Sequence, residues 1–315
     1  MPAPMPARRV GAVGLALLAA LAVLAAWASA GRATAAPTAG FAPNNREAVA
    51  IGPAPQVTKV LVFVVENHSL SQMQASMPFV YGLAQQYAYA TNYTAIRHPS
   101  LPNYLAIAGG STFRVTDDRP PSAHRLHGAS VFSQARRAGL TAKVYADSMP
   151  RTCALADAGR YAVRHNPWTY FVDNRRACRR YDVPVSALGA DADAGALPNV
   201  GMVIPNLVHD AHDASLAVSD AWIKKKVTRI QAGPDWRSGH LAIVITADED
   251  DHHQGNKVLT VVASKHQPHT VVSTPLTHYS LTRFLDDVAG VAYLRKAATA
   301  PSLTTAFGVT TRPRP

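Results

Sequence analysis

Five residues carry the chemistry this chain could do: Glu66, Asn67, Ser100, Asp248 and Glu249. The apolar run KVLVFVV at 59–65 ends at Glu66-Asn67. A second run, LAIVIT at 241–246, is followed by Ala247 and then Asp248-Glu249-Asp250. Both runs read as buried strands. Ser100 opens an apparent helix in HPSLPNYLAIAGG, with Pro102 just inside it, where a missing N–H costs nothing. Ligands of open α/β sheets bind outside the carboxyl ends of the strands. Sequence-distant acids and one hydroxyl should therefore converge on one edge of one sheet. Such a group suits a hard cation and a phosphate ester.

Each feature also has a plain structural reading. A serine at a helix start caps it. Glu66-Asn67 could be a turn, with Asn67 or Ser69 capping a helix after it. A helix N-terminus, however, also binds phosphate and favours an alkoxide, and a cation would lower the hydroxyl pKa further. With carboxylates expected nearby, Ser100 reads as a nucleophile. A further cluster lies in IPNLVHDAHDASLAVSDAWI, where His209, Asp210, His212 and Asp213 place four ligand-type residues in five positions. His212 there, or His278 at the start of a later helix, could protonate a leaving oxygen. His165 in RHNPW and His98 beside Ser100 are further candidates, and His252-His253 reads as loop. HExxH and CxxC are absent, which argues against a zincin and a structural zinc site.

These residues need a scaffold. Further strands are expected at 141–145, 200–204 and 258–263, apolar enough for parallel strands covered on both faces. Helices are expected at 79–87, 101–108, 130–138, 215–230 and 279–288. In the last, Leu281, Phe284, Leu285 and Val288 share one face. The alternation predicts a layered α/β sandwich with parallel strands. The chain has 315 residues, 48% of them hydrophobic, enough for a full core. Segment 111–198 is less regular and reads as an excursion over the active edge of a single domain at 57–315.

Arg8-Arg9 precede an uncharged apolar run at 10–28, and small-residue cleavage sites follow at 28–30 and 33–35. Residues 1–35 read as a secretory signal peptide. A retained single-span anchor is the alternative, since the run is nearly long enough to span. Residues 36–56 read as a flexible, Pro-rich leader. Export fits Cys153 and Cys178, the two cysteines, which are expected to form a disulfide. The formal net charge is +11, with clusters at Arg175, Arg176, Arg179, Arg180 and at Lys224–Lys226. These could attract anionic substrates or surfaces, or be solvated faces. No signature of sequence-read nucleic acid is present. Nor does any helix have the strongly amphipathic pattern of a membrane-binding segment.

VENHS (65–69), HPSLPNYLAIAGG (98–110), PNLVHDAHDASLAVSDAW (205–222), ITADEDD (245–251) and THYSL (277–281) resemble the secreted bacterial acid phosphatase and phospholipase C phosphoesterase family, within the alkaline phosphatase-like superfamily. The likeness is greatest to secreted acid phosphatases acting on phosphomonoesters, including phosphoinositides. It implies a three-layer α/β/α sandwich with a mostly parallel central sheet, alkaline phosphatase-like, and a metal-dependent reaction through a phosphoserine. Glu66, Asn67, Ser100, Asp248 and Glu249 would hold a divalent cation. Ser100, His212 and His278 would be catalytic, and Asn103, His165, Asp210 and Asp213 would bind substrate. His68, where an Arg is common, and Ala247, where a bulkier residue is common, depart from the pattern. A phospholipase C-type phosphodiesterase and a non-catalytic secreted protein binding anionic surfaces are the alternative readings.

Overall fold

The computed structural model describes residues 55–314. The expected signal segment and nearly all of the leader lie outside them. In chain order the first half holds β1 (Lys59–Val65), α1 (Leu70–Ser76), α2 (Pro78–Gln86), β2 (Ala88–Ala90), β3 (Tyr93–Thr94), α3 (Ser100–Gly109), α4 (Val131–Arg137) and β4 (Ala142–Ala146). Next come α5 (Arg175–Tyr181), β5 (Asp182–Pro184), α6 (Ser186–Asp193), β6 (Val200–Ile204), α7 (Leu216–Ala232) and α8 (Pro234–Arg237). The last are β7 (Leu241–Ala247), β8 (Thr260–Ser264), β9 (Thr270–Val272), β10 (Leu276–Thr277), α9 (His278–Ala289) and α10 (Leu303–Phe307).

Eight strands form the main sheet in the order β5-β4-β6-β1-β7-β8-β2-β9. From β5 to β7 all neighbours are parallel. β1 is central because VLVFVV has no polar face to give to water; Val60–Val65 are all fully buried. Its register pairs Val65 with Ala247, so Glu66 and Asp248 leave the sheet side by side. One expectation needs correction: 258–263 reads as a parallel strand, but β8 runs antiparallel to both β7 and β2. The β7–β8 connection holds no helix, so the chain returns beside β7 in the opposite sense. Segment 111–198 does more than cover the edge, since it supplies β4 and β5 to the sheet.

Two elements matter most for the site. α3 is buried at all ten positions, as its sequence SLPNYLAIAG, apolar almost all round, demands. It packs on α9 and ends at Gly110 in the left-handed region (φ 65°), where a Cβ would collide with the Leu294 carbonyl. α9 is capped by Thr277, whose hydroxyl accepts from the Tyr279 N–H at 3.2 Å, and it buries Leu281, Phe284, Leu285 and Val288. No helix among the described residues is long and apolar enough to cross a membrane.

Cys153 and Cys178 are joined, tying the 153 turn to α5. The bridge closes a loop that contains His165. With a sequence separation of 25, it stabilises the fold by roughly 3.5 kcal/mol on the chain-entropy model. Cys153→Ser is therefore expected to lower the denaturant midpoint, and dithiothreitol to do the same to the wild type but not to the variant. An unchanged midpoint would mean the loop is held by packing alone.

Asp182 is fully buried in β5, with the Asn166 amide donating to its carboxylate at 2.9 and 3.0 Å. Burial pushes its carboxyl up to about 8, against the Asn166 amide and the Arg175 charge. In the unfolded chain it titrates near about 4. Between those values the native state holds a proton that the unfolded state has released, so this group makes stability fall as pH rises from about 4 to about 8. Asp182→Asn should flatten that decline by on the order of a few kcal/mol. Thermal midpoints of both proteins across this range decide it, and parallel curves would refute the assignment.

Candidate active site

The edge where β1, β6 and β7 end gathers the residues that the sequence singles out. Glu66 is fully buried, and its backbone N–H donates to the Asp210 carbonyl at 2.8 Å. Its carboxylate accepts from the Ser100 hydroxyl at 2.9 Å and from the Tyr104 hydroxyl. Ser100 and Tyr104 are one turn apart on α3 and so share a face. The His165 ring stacks on Tyr104 (5.1 Å between centroids, 11° between planes). Its Nε2 lies 3.2 Å from Glu66 and its Nδ1 3.2 Å from Asp210.

Ser100 is not the cap of its helix. Pro99 holds the N-cap position and Ser100 is the first helical residue. Asp118 takes the Leu101 N–H instead, at 2.9 Å. The serine hydroxyl is thus free to point at Glu66. Asn67 has φ 54°, a left-handed conformation that asparagine tolerates better than most residues. Its N–H donates to Asp248 Oδ1 at 3.0 Å.

Behind the carboxylates, the side chains are fully engaged. His278 Nε2 donates to the Asp248 carbonyl at 2.6 Å, and its Nδ1 accepts from the Tyr93 hydroxyl at 3.0 Å. Asn103 accepts from the N–H groups of Ile96 and Arg97, and donates to the carbonyls of Arg97 and Pro99 and to Glu249 Oε2 at 3.1 Å. His98 bridges Glu249 and Asp250 at 3.2 Å each. Towards solvent, His212 lies 6.4 Å from His165 between ring centroids, with Nδ1 2.6 Å from Asp213 and Nε2 3.3 Å from an Arg164 guanidinium nitrogen. Asp213 is exposed, whereas Asp210 is buried. The fold therefore brings Glu66, Asn67, Ser100, His165, Asp210, Asp248 and Glu249 together. Asn103 and His278 stand behind them, and His212 and Asp213 at the rim. Tyr104 and Asp118 escape a reading of the sequence alone. The spacing of Tyr104 from Ser100, four residues in a helix, is the signal that could have found it.

Crowded acids set the electrostatics. Burial, then repulsion from Glu66 and Glu249, holds the Asp248 carboxyl well above the usual range. Burial and the charges of Glu66, Asp118 and Asp250 push Glu249 up to about 8. Burial would also raise Glu66, but the His165 charge and three hydrogen bonds bring it below its ordinary value. His165 loses affinity for its proton through burial and regains more from Glu66 and Asp210, reaching about 9. Burial brings His278 down to about 4, so its ring is neutral.

The donor set suits a hard cation. Asn67 Oδ1 and Asp248 Oδ2 are buried acceptors without a hydrogen-bond partner, and such orphans call for a ligand. Four buried carboxyl groups, Glu66, Asp210, Asp248 and Glu249, crowd around one imidazolium, and a divalent ion would offset the repulsion that keeps Asp248 and Glu249 protonated. Glu66, His165 and Asp210 also lie with one nitrogen or oxygen atom each within 4.8 Å of one another, an ion-pair cluster as long as His165 keeps its proton.

The fold is that of the alkaline phosphatase superfamily. A member of that superfamily from Vibrio parahaemolyticus superposes with a TM-score of 0.54 at 11% identity, over 81% of this chain and 72% of that one. The lipoteichoic acid synthase LtaP from Listeria monocytogenes gives 0.52 at 7% identity, over 78% and 76%. Within that fold the chain belongs to the Phosphoesterase family, whose model matches residues 62–292. It is similar to a phosphatidylinositol-3-phosphatase of Mycobacterium tuberculosis, 31% identical over 81% of this chain and 84% of that protein. It is also 26% identical to a phosphate-repressible acid phosphatase of Penicillium chrysogenum over 64% of this chain, which spans about half the length of that relative (52%). The protein is a hydrolase of phosphoric esters with phosphatase activity.

Proposed function

We propose that the protein is an exported phosphomonoesterase that depends on a divalent cation, works through a phosphoserine at Ser100, and takes phosphoinositides among its substrates. One observation carries this reading. The Ser100 hydroxyl, at the N-terminus of a buried helix, caps nothing and sits 2.9 Å from a buried carboxylate. Glu66, Asn67, Ser100 and Asp248 would hold the cation, with Glu249 beside them. When bound, the cation would lower the serine pKa and neutralise charge on the phosphoryl oxygens. Ser100 Oγ attacks phosphorus in line as its proton leaves towards Glu66; the bond from phosphorus to the leaving oxygen breaks, and that oxygen takes a proton. His212, solvent-accessible and oriented by Asp213, is the donor in this reading. The sequence offers His278 for the same role. Its ring is fully buried behind the acids, whereas that of His212 is open to solvent, so we assign it to positioning Asp248 instead. Asn103, expected to bind substrate, has its amide committed to the 96–99 loop and to Glu249, and we assign it to positioning Glu249. His165, kept cationic, offsets the acids and faces the phosphoryl group. Water then hydrolyses the phosphoserine. The apolar run at 10–28 and the disulfide support export.

Substrate class is tested by kcat/KM on a chromogenic monoester, the matched diester, phosphatidylinositol 3-phosphate and phosphatidylcholine. The monoesters are expected to be cleaved faster. A diester preference of about tenfold, or about 1.4 kcal/mol, would instead favour the phospholipase C-type reading.

A further inference from the structure

Helix α7 leaves the active edge just after the loop that carries Asp210 and His212. Its exposed face begins with Ala217, Val218 and Ala221 and continues into Lys224 and Lys225. Val218 is 39% exposed. The single acid of the helix, Asp220, is turned inward, where it accepts from the N–H groups of Phe79 and Val80 at 3.0 and 2.9 Å. No negative charge of α7 therefore offsets the lysines. None of Lys224, Lys225 and Lys226 forms an ion pair among the described residues, whereas Arg229, further along, is paired with Asp193.

This face adjoins His209 and His68, which are next in sequence to Asp210 and Asn67 of the site. Lys226 Nζ lies 5.2 Å from the Trp222 ring, which stacks on His209, the neighbour of Asp210. Two cavities of about 660 and 260 Å3 share Lys225 and Lys226 in their walls. A third, of about 390 Å3, meets the first at Ala217 and is walled at its other end by His68, next to Asn67. Together they line the helix from His68 to the lysines. Seventeen residues of helix are roughly 25 Å long, more than one phosphate headgroup can cover.

We propose that this face of α7 docks the protein on an anionic phospholipid surface and so brings the mouth of the site to headgroups in that surface. The inference rests on the phosphoinositide reading above. α7 lacks the amphipathic pattern of an inserting helix, so the docking is electrostatic: Lys224 and Lys225, with no ion pair among the described residues, are complementary to such a surface, and the small Ala217, Val218 and Ala221 let it approach closely.

The test separates docking from turnover. Full-length protein is sedimented with phosphatidylcholine vesicles that contain or lack phosphatidylserine; neither lipid carries a phosphomonoester. Wild type is expected to bind only the phosphatidylserine vesicles and to be released by salt. Lys224→Glu/Lys225→Glu should bind at least about tenfold more weakly, with kcat/KM on a soluble chromogenic monoester unchanged. Arg176→Glu/Arg180→Glu, in the basic cluster on α5, should bind as wild type does. Three results would overturn the proposal: no phosphatidylserine-dependent binding, equal binding by the lysine variant, or loss in the arginine variant instead. Binding to heparin without binding to vesicles would also overturn it, assigning the face to a soluble polyanion. Wild-type protein that binds vesicles but is inactive on the soluble monoester would sink the phosphomonoesterase reading and leave docking standing.

Discussion

Ser100→Ala should lower kcat by at least about 10^3-fold, the scale of loss when a nucleophile is removed and only binding and electrostatic stabilisation remain. The fold should survive. Ser100 gives its helix no capping bond, because Asp118 takes the Leu101 N–H, so the usual penalty for losing a cap does not apply. What is lost is one hydrogen bond to Glu66, worth roughly 1.5–3 kcal/mol for a charged acceptor. The Tyr104 hydroxyl remains on the same carboxylate. Three measurements make the result decisive: turnover on a monoester, the thermal midpoint, and mass spectrometry of acid-quenched protein for phosphate on the Ser100 peptide. Activity within tenfold of wild type, or phosphate trapped elsewhere, would remove Ser100 from its role. A large drop in midpoint with matching loss of activity would make it structural.

Exhaustive chelation should cost at least about 10^2-fold in activity, restored by adding back a divalent ion. The pH dependence of that restoration has a definite sign. Without a cation, Asp248 and Glu249 hold protons well above the usual carboxylate range, Glu249 to about 8. An incoming cation must displace them, so its affinity should rise as pH rises towards 8 and fall in acid. Calorimetry in buffers of different ionisation enthalpy would register the released protons. Asp248→Asn removes one of these carboxylates and should weaken cation binding and reduce the proton release together. Full activity with no metal by elemental analysis would sink the dependence. Cation binding without proton release would place the ion away from these acids.

Much of this arrangement can be read along the chain. KVLVFVV and VGMVI match β1 and β6 residue for residue, because uninterrupted apolar runs bounded by polar residues have one economical fate in a covered sheet. The strands of three residues, β2, β5 and β9, have no such signature, since so short a run is shaped by its neighbours. His165 is visible in the sequence only as one histidine in RHNPW. Its place between Glu66 and Asp210 depends on a loop held by the disulfide and on the Tyr104 ring.

The sequence by itself determined the layered fold, the strand ends from which Glu66 and Asp248 emerge, the helix that Ser100 opens, and the pairing of two cysteines. Periodicity and parallel neighbours are enough for these, because strands that run the same way end on the same edge. Tertiary structure decided where side chains point. Ser100 turns to Glu66 because Asp118 occupies the capping role from seventeen residues away. His278 faces inward because Tyr93 and the Asp248 carbonyl, 185 and 30 residues distant, take its two nitrogens. The acid of α7 is withdrawn from the surface because the N-terminus of α2 binds it from 140 residues away, which leaves the lysines uncompensated. A hydrogen-bond partner so far off along the chain leaves no periodic trace in the local sequence, so only the packed molecule could assign these roles.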